Sequence, residues 1–255
     1  MRALISFMKK EWIHQLRSGK LLSIGIVFAI VGILSPALAK LTPELMEMLS
    51  SSQEGSMSII VGEVSALDSW VQFFKNIPIG LIAFILVESS IFTKEYESGT
   101  LVLALTKGLD RYKVVVSKTV VMILLWTVGY FGSIGLTYAY TAYYWDNSIA
   151  QNLIYSIVLI WLFGLFVIAL TVLFSTLTKT NTGVLACTGG VVFASYFLGM
   201  LPKLDKLMPT MLIDGNSLIY GMKECGDYTT AIFVAVAVIV VSLTLSIPIF
   251  NKKHI

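Results

Sequence analysis

Charged side chains make up only 13% of this 255-residue sequence, against about 25% in an ordinary soluble domain. That shortage excludes an ordinary cytosolic enzyme, a disordered tail and a nucleic-acid binder, which all need a hydrated or basic surface. Cysteine is scarce too. Cys187 and Cys225 supply neither a disulfide framework nor a zinc pattern, and both are expected to be unpaired and inert. The two histidines, His14 and His254, lie at opposite ends. No metal site is expected, and the H-E-x-x-H constellation of a membrane hydrolase is missing. The sequence also has no G-x-x-x-x-G-K-[ST] phosphate loop, so any energy from ATP must come through another polypeptide. Charged rings or filter loops of an ion pore are not found either.

What is present is apolar: 56% of the residues are hydrophobic, and the mean hydropathy is +0.84. A helix needs about 20 mostly apolar residues to cross a bilayer. Six stretches qualify, at about 21–39, 70–92, 116–140, 152–174, 182–201 and 230–250. Lys118 bounds the third at one end; at the other, Tyr138, Tyr140, Tyr143, Tyr144 and Trp145 form an aromatic cluster of the kind that settles at headgroup level. The run ending Ala37-Leu38-Ala39 imitates a cleaved signal, but the basic segment before it, about 20 residues, is too long, and we read 21–39 as a retained span.

With the N-terminus placed inside, 13 of the 18 basic residues fall on the cytoplasmic side, leaving Lys40, Lys75, Lys203, Lys206 and Lys223 outside. The positive-inside bias therefore predicts both termini in the cytoplasm. Residues 1–20 form a separate unit ahead of the six-span body at 21–255. In it Leu4, Ile5, Met8, Trp12, Ile13 and Leu16 share one helical face, and Arg2, Lys9, Lys10, Glu11 and Arg17 fall largely on the other. Such a helix can lie in the interface plane, with Lys9, Lys10 and Arg17 meeting anionic lipid heads and Trp12 at the boundary. A plain topogenic flank is the alternative.

Two external stretches are expected. Residues 40–69 are acidic, with room for a short helix from Pro43 to Leu49 before a Ser/Gly-rich piece. Residues 202–228 carry apolar pieces, Leu207 to Ile213 and Leu218 to Met222, too short to span and broken by Pro209 and Gly215. These are either re-entrant or surface-lying helices, or an ordinary amphipathic loop.

Glu88 is the one carboxylate inside a predicted span, about a turn from its cytoplasmic end. It is either a gate or substrate contact or an interfacial carboxylate solvated or capped by Ser89, Ser90 or Lys94. In the fifth span Gly183, Ala186, Gly190 and Ala194 offer small side chains for close helix approach. That approach is either to a second copy or to a neighbouring span, and Gly129, Gly132 and Gly135 in the third span pose the same choice. The interior of Phe, Leu, Ile, Val and Tyr favours amphipathic or lipid-like cargo over inorganic ions.

The segment at 93–111, between the second and third spans, reads as a charged turn followed by a short helix capped near Ser98 or Thr100, showing Leu101, Leu103 and Leu105. Its order of residues, Glu95, Tyr96, Glu97, Gly99, Thr100 and Leu101, then Arg111 and Lys118, resembles permeases of the ABC-2 type, the membrane subunits of ABC exporters. Lys10-Glu11 with Arg17-Ser18 resembles the family's opening, and Ser175-Thr176-Leu177-Thr178-Lys179 its pattern after the fourth span. The sequence departs at Lys107-Gly108-Leu109-Asp110, where many relatives carry a proline before the arginine.

The resemblance implies an all-α membrane protein with six transmembrane helices, a cytoplasmic coupling helix around 95–106 and short helices before the last span. It implies a multi-pass protein of a bacterial cell membrane. This chain would bind no cofactor; ATP and Mg2+ would sit on a separate cytoplasmic ATPase docked at the coupling helix, and a second copy or a related permease would complete the pair. In compactness the chain is similar to permeases of small bacterial peptide exporters, including those for phenol-soluble modulins, which implies an amphipathic peptide as cargo. A lipid or lantibiotic exporter is the nearest alternative, and a non-transporting scaffold or channel the next.

Overall fold

The computed structural model describes residues 2–52, 64–101, 106, 108 and 110–253. Among them are nine α-helices and no β-strand. They are α1 Arg2–Arg17, α2 Lys20–Ser52, α3 Ala66–Glu88, α4 Ser90–Glu97, α5 Arg111–Tyr144, α6 Leu153–Leu177, α7 Asn181–Gly199, α8 Gly215–Ile219 and α9 Thr229–Lys252. Six helical stretches are long and apolar enough to cross a membrane: Lys20–Glu44, Ala66–Tyr96, Arg111–Tyr144, Leu153–Leu177, Asn181–Gly199 and Cys225–Lys252.

Several helices outrun the apolar stretches that announce them. α2 runs on through Pro36 and Pro43 to Ser52, so the separate helix expected from Pro43 to Leu49 is the end of the first span's helix. The Ser/Gly-rich piece after it lies mostly outside the described residues. α3 starts at a capping box, in which Asp68 accepts from the Ser65 backbone N–H at 2.8 Å. It breaks at Ser89 and resumes as α4.

Between helices the apolar contacts are pinned by single hydrogen bonds, the usual glue where lipid removes most of the hydrophobic drive. Ser69 meets Thr141 at 2.7 Å, Asn76 donates to Ser35 at 3.2 Å, and Thr137 donates to the Gly32 carbonyl at 3.0 Å. At the centre Trp126 stacks on Tyr130 at 5.1 Å, and Tyr130 donates to the Ile157 carbonyl at 2.8 Å. Gly164 lets α6 approach this pair, since a Cβ there would lie 2.2 Å from the Trp126 ring. Gly129 is likewise closed by Phe28, 2.6 Å from where a Cβ would stand, whereas Gly132 and Gly135 face open space. The third span's glycines thus divide between internal packing and a free face.

The stretch between α7 and α9 forms a packed cap rather than an ordinary loop. Leu212 and Leu218 are fully buried, and Gly215 fits against Phe74. Asp214 ties the cap together: it accepts from Ser217 and from Lys223 at 3.0 Å, while Tyr228 donates to its carbonyl at 2.9 Å. Burial alone would raise the Asp214 carboxyl, but the bonds from Ser217 and Lys223 outweigh it and hold the pKa below 3.8. A carboxyl depressed on folding stabilises above its unfolded pKa and loses that contribution as pH falls through the folded one. Asp214→Asn should therefore melt below wild type by a constant margin from about pH 8 to about pH 5, narrowing only in stronger acid. Melting curves of both proteins in detergent across that range check it; a margin that closes near neutrality would contradict it.

Candidate functional site

The residues that carry the sequence motif gather at one end of the bundle. Lys118, seven residues into α5, is 1% exposed. Its ammonium bonds Glu11 of α1 at 3.1 Å and the Ile91 carbonyl at 2.9 Å, and pairs with Glu95 of α4 at 2.9 Å. Lys10 closes the ring, reaching Glu95 at 2.7 Å and Glu11 at 3.0 Å. Burial would lower the Lys10 ammonium, but Glu95 and Glu11 outweigh it and raise it above its ordinary value. Lys118 is thus a buried hub joining α1, α4 and α5.

This reverses part of the expected geometry of α1. The face turned to the protein carries Phe7, Glu11 and Gln15, all buried, while Ile5, Ile13 and Leu16 are exposed. Lys9 and Arg17 are exposed, and Trp12 is half-buried against the core. Ile5, Ile13 and Leu16 are thus left uncovered, and Phe7, Glu11 and Gln15, at i, i+4 and i+8, are the ones that dock. Glu88 departs from its interfacial reading as well. It is wholly buried, takes a 2.7 Å bond from Gln15 and faces Lys20 at 3.6 Å. Ser89, Ser90 and Lys94 do not cap it.

A second set of contacts fastens the same end. Tyr96 donates to the Ser175 carbonyl at 3.2 Å. Arg111 donates to the carbonyls of Phe250, Asn251 and Lys253, capping the C-terminal end of α9. Lys253 donates to Ser175 and Thr178 and sits 4.2 Å over the Tyr96 ring. Burial and nearby Lys179 push its pKa down to about 8.

The expected helix over 95–106 is divided. α4 ends at Glu97, Gly99 takes φ +65°, and helical geometry resumes at Thr100. A left-handed residue here stops one helix and starts another, which glycine does without strain. Leu101 is buried, not displayed, and Thr100 is exposed; Leu103 and Leu105 lie outside the described residues, as does the side chain of Glu97. Glu95, Tyr96 and Arg111 thus bear on the bundle itself. A charge reversal at Glu95 would set Lys10 and Lys118 against a third cation, so Glu95→Gln is the informative change there.

Among the motif residues, sequence order alone brought out Glu95, Arg111 and Lys118, but not their partners. Gln15 went unnoticed, although its spacing from Glu11 marks a polar row on α1.

The other feature is apolar. A groove of about 540 Å³ opens between α3, α6 and α7, lined by Ile82, Leu86, Phe163, Val167, Thr188 and Phe193 among others. Its outer wall is thin: 11% of α7's most apolar stretch is buried, against 67% for α6. Ala186, Gly190 and Ala194 are exposed, with no other part of this chain within 4 Å of a Cβ at Gly190; Gly183 packs on its own cap, Thr180 and Thr178. Among the described residues, then, no neighbouring span covers the small residues at 186, 190 and 194. Most membrane-embedded Ser and Thr hydroxyls bond the carbonyl a turn earlier, as Thr171, Ser175 and Ser246 do. Thr188 is buried without such a partner, leaving one unpartnered buried hydroxyl in the groove wall, which also includes Tyr196.

Comparison with known proteins agrees with the arrangement. Residues 5–255 match the family model described as ABC-2 family transporter protein. An uncharacterized transmembrane protein of Bacillus subtilis (strain 168), YxlG, is 22% identical over 213 residues, covering 82% of this chain and 81% of that protein. With six membrane-crossing helices, motif residues gathered at one end and a family match over nearly all its length, this multi-pass membrane protein belongs to the ABC-2 transporter family, whose members are the membrane permeases of ABC transporters.

Proposed function

We propose that this chain is one half of an ATP-driven exporter of amphipathic peptides. A separate ATPase docks at the end of the bundle where α1, α4 and the start of α5 meet, and ATP and Mg2+ are bound on that ATPase, not on this chain. The groove between α3, α6 and α7 carries the proposal for the cargo: its wall is almost wholly apolar, and it holds the buried, unpartnered Thr188 hydroxyl as a polar contact. An amphipathic helix can lay its apolar face in such a groove, whereas an inorganic ion would find no ligands.

The second copy is placed at the free side of α7. Ala186, Gly190 and Ala194 recur every four residues on a face that nothing in this chain covers, and small residues let helices approach closely in lipid. Gly190→Leu should leave the fold intact, since its Cβ meets nothing, while converting a detergent-solubilised dimer to monomer by light scattering. A variant that stays dimeric moves the pairing surface elsewhere.

Lipid export is the second reading, favoured by the groove's opening toward the membrane. Proteoliposomes holding the permease with its ATPase separate the two. ATP-dependent movement of a labelled amphipathic helical peptide, with no movement of labelled lipid, supports the peptide reading; lipid movement alone replaces it with the second.

A further inference from the structure

We propose that a cavity at the motif-bearing end of the bundle holds the headgroup of one anionic glycerophospholipid. The cavity, about 600 Å³, lies between α1, the start of α2, α4 and α5, and Lys20, Lys94, Gln15, His14 and Ser90 are among its walls. Its walls carry four ammonium groups, Lys10, Lys20, Lys94 and Lys118, and two carboxylates, Glu11 and Glu95, and a third carboxylate, Glu88, stands behind Lys20. Glu11 and Glu95 are taken by Lys10 and Lys118. Lys20 reaches Glu88 only at 3.6 Å, beyond a hydrogen bond. Lys94 is exposed and pairs with no carboxylate among the described residues. One positive charge is left over, the charge that a single phosphodiester carries with opposite sign.

Gln15 narrows the chemistry further. The side chain is 1% exposed, its amide nitrogen is committed to Glu88 at 2.7 Å, and its Oε1 has no partner. The reversed amide would set that oxygen against a carboxylate, so the network fixes the orientation. A buried acceptor left unmet is costly, and a bare phosphate, itself only an acceptor at its anionic oxygens, does not satisfy it. A headgroup with both a phosphodiester and a free hydroxyl does: the phosphate faces Lys20 and Lys94, and the hydroxyl donates to Gln15. A phosphoglycerol headgroup has both and keeps a net charge of about −1. Zwitterionic headgroups leave the extra lysine uncompensated. The surroundings suit a lipid's tails, since Ile5, Ile13 and Leu16 of α1, and Leu22 and Ile26 just beyond Lys20 on α2, are all exposed.

The test is native mass spectrometry of the detergent-solubilised protein titrated with dioleoyl phosphatidylglycerol, dioleoyl phosphatidylcholine or soluble glycerophosphoglycerol. One phosphatidylglycerol should bind in preference to phosphatidylcholine. Lys94→Gln should weaken that binding about fivefold, the worth of one ammonium near a lipid phosphate, and Lys252→Gln, exposed at the end of α9 outside the cavity, should not. Equal losses in the two variants, or equal binding of the two lipids, would mean only surface lipid and overturn the site. Displacement of the lipid by an equal concentration of glycerophosphoglycerol would overturn the lipid as its occupant in favour of a soluble phosphodiester.

Discussion

Lys118→Met should insert normally and yet lose about 3–5 kcal/mol of stability. The reason is burial: Lys118 is 1% exposed, and it is one of the two ammonium groups that neutralise Glu11, which is 2% exposed. Removing the ammonium leaves one carboxylate buried and another half-buried, with only Lys10 between them. The same physics predicts a rescue. Replacing both charges of a buried pair with apolar groups of similar size is often neutral, so adding Glu11→Leu and Glu95→Gln to Lys118→Met should restore most of the loss. Melting in detergent, followed by the intrinsic fluorescence of the tryptophans, measures both. A single variant as stable as wild type would show that the ring of Lys10, Glu11, Glu95 and Lys118 does not hold α1 to the bundle.

The second large effect concerns transport without stability. Gly189 lines the apolar groove, and a Cβ there meets nothing within 4 Å. Gly189→Trp should therefore fold, insert and keep the ATPase bound, while its indole occupies the groove. Export of an amphipathic peptide should fall by roughly tenfold or more, the scale of losing one apolar side chain's worth of binding. Proteoliposome transport rates set against ATPase rates read this out. Unchanged export would remove the groove from the path, and a parallel loss of ATP hydrolysis would assign the effect to assembly.

The six spans were legible because hydrocarbon thickness imposes a length that hydropathy registers directly. What hydropathy does not register is where a helix stops once it leaves the apolar stretch. α5 was expected at about 116–140 and runs from Arg111 to Tyr144, because neither its basic start nor its tyrosine-rich end breaks a helix. Helical periodicity sorted α1 into an apolar and a charged face, on the premise that charge seeks water. Glu11 contradicts that premise through Lys118, 107 residues away, a pairing that no local pattern contains. The partners of Glu88 were hidden for the same reason, since Gln15 stands 73 residues before it and Lys20 opens the first span. The break at Gly99, by contrast, was visible, since a helix starting near Ser98 or Thr100 already stood apart from Glu95 and Tyr96; what the charged turn concealed is that those two belong to a helix of their own, α4.

The motif at 93–111 identified the family before its geometry was known, yet several of its residues serve the permease's own architecture. Tyr96, Arg111 and Lys118 tie α4, α5, α6 and α9 into one unit. For the ATPase docking proposed above, a push delivered near Thr100 would enter the spans through those ties. Coupling in this account belongs to the joint between segment and bundle.

The most direct measurement is to purify the tagged chain in mild detergent, identify what comes with it by mass spectrometry, and assay ATP hydrolysis. The account predicts a stoichiometric ATP-binding subunit and vanadate-sensitive activity, stimulated by an amphipathic peptide and weakened in Glu95→Gln. Repeated isolation of the chain with no such subunit and no hydrolysis would contradict it.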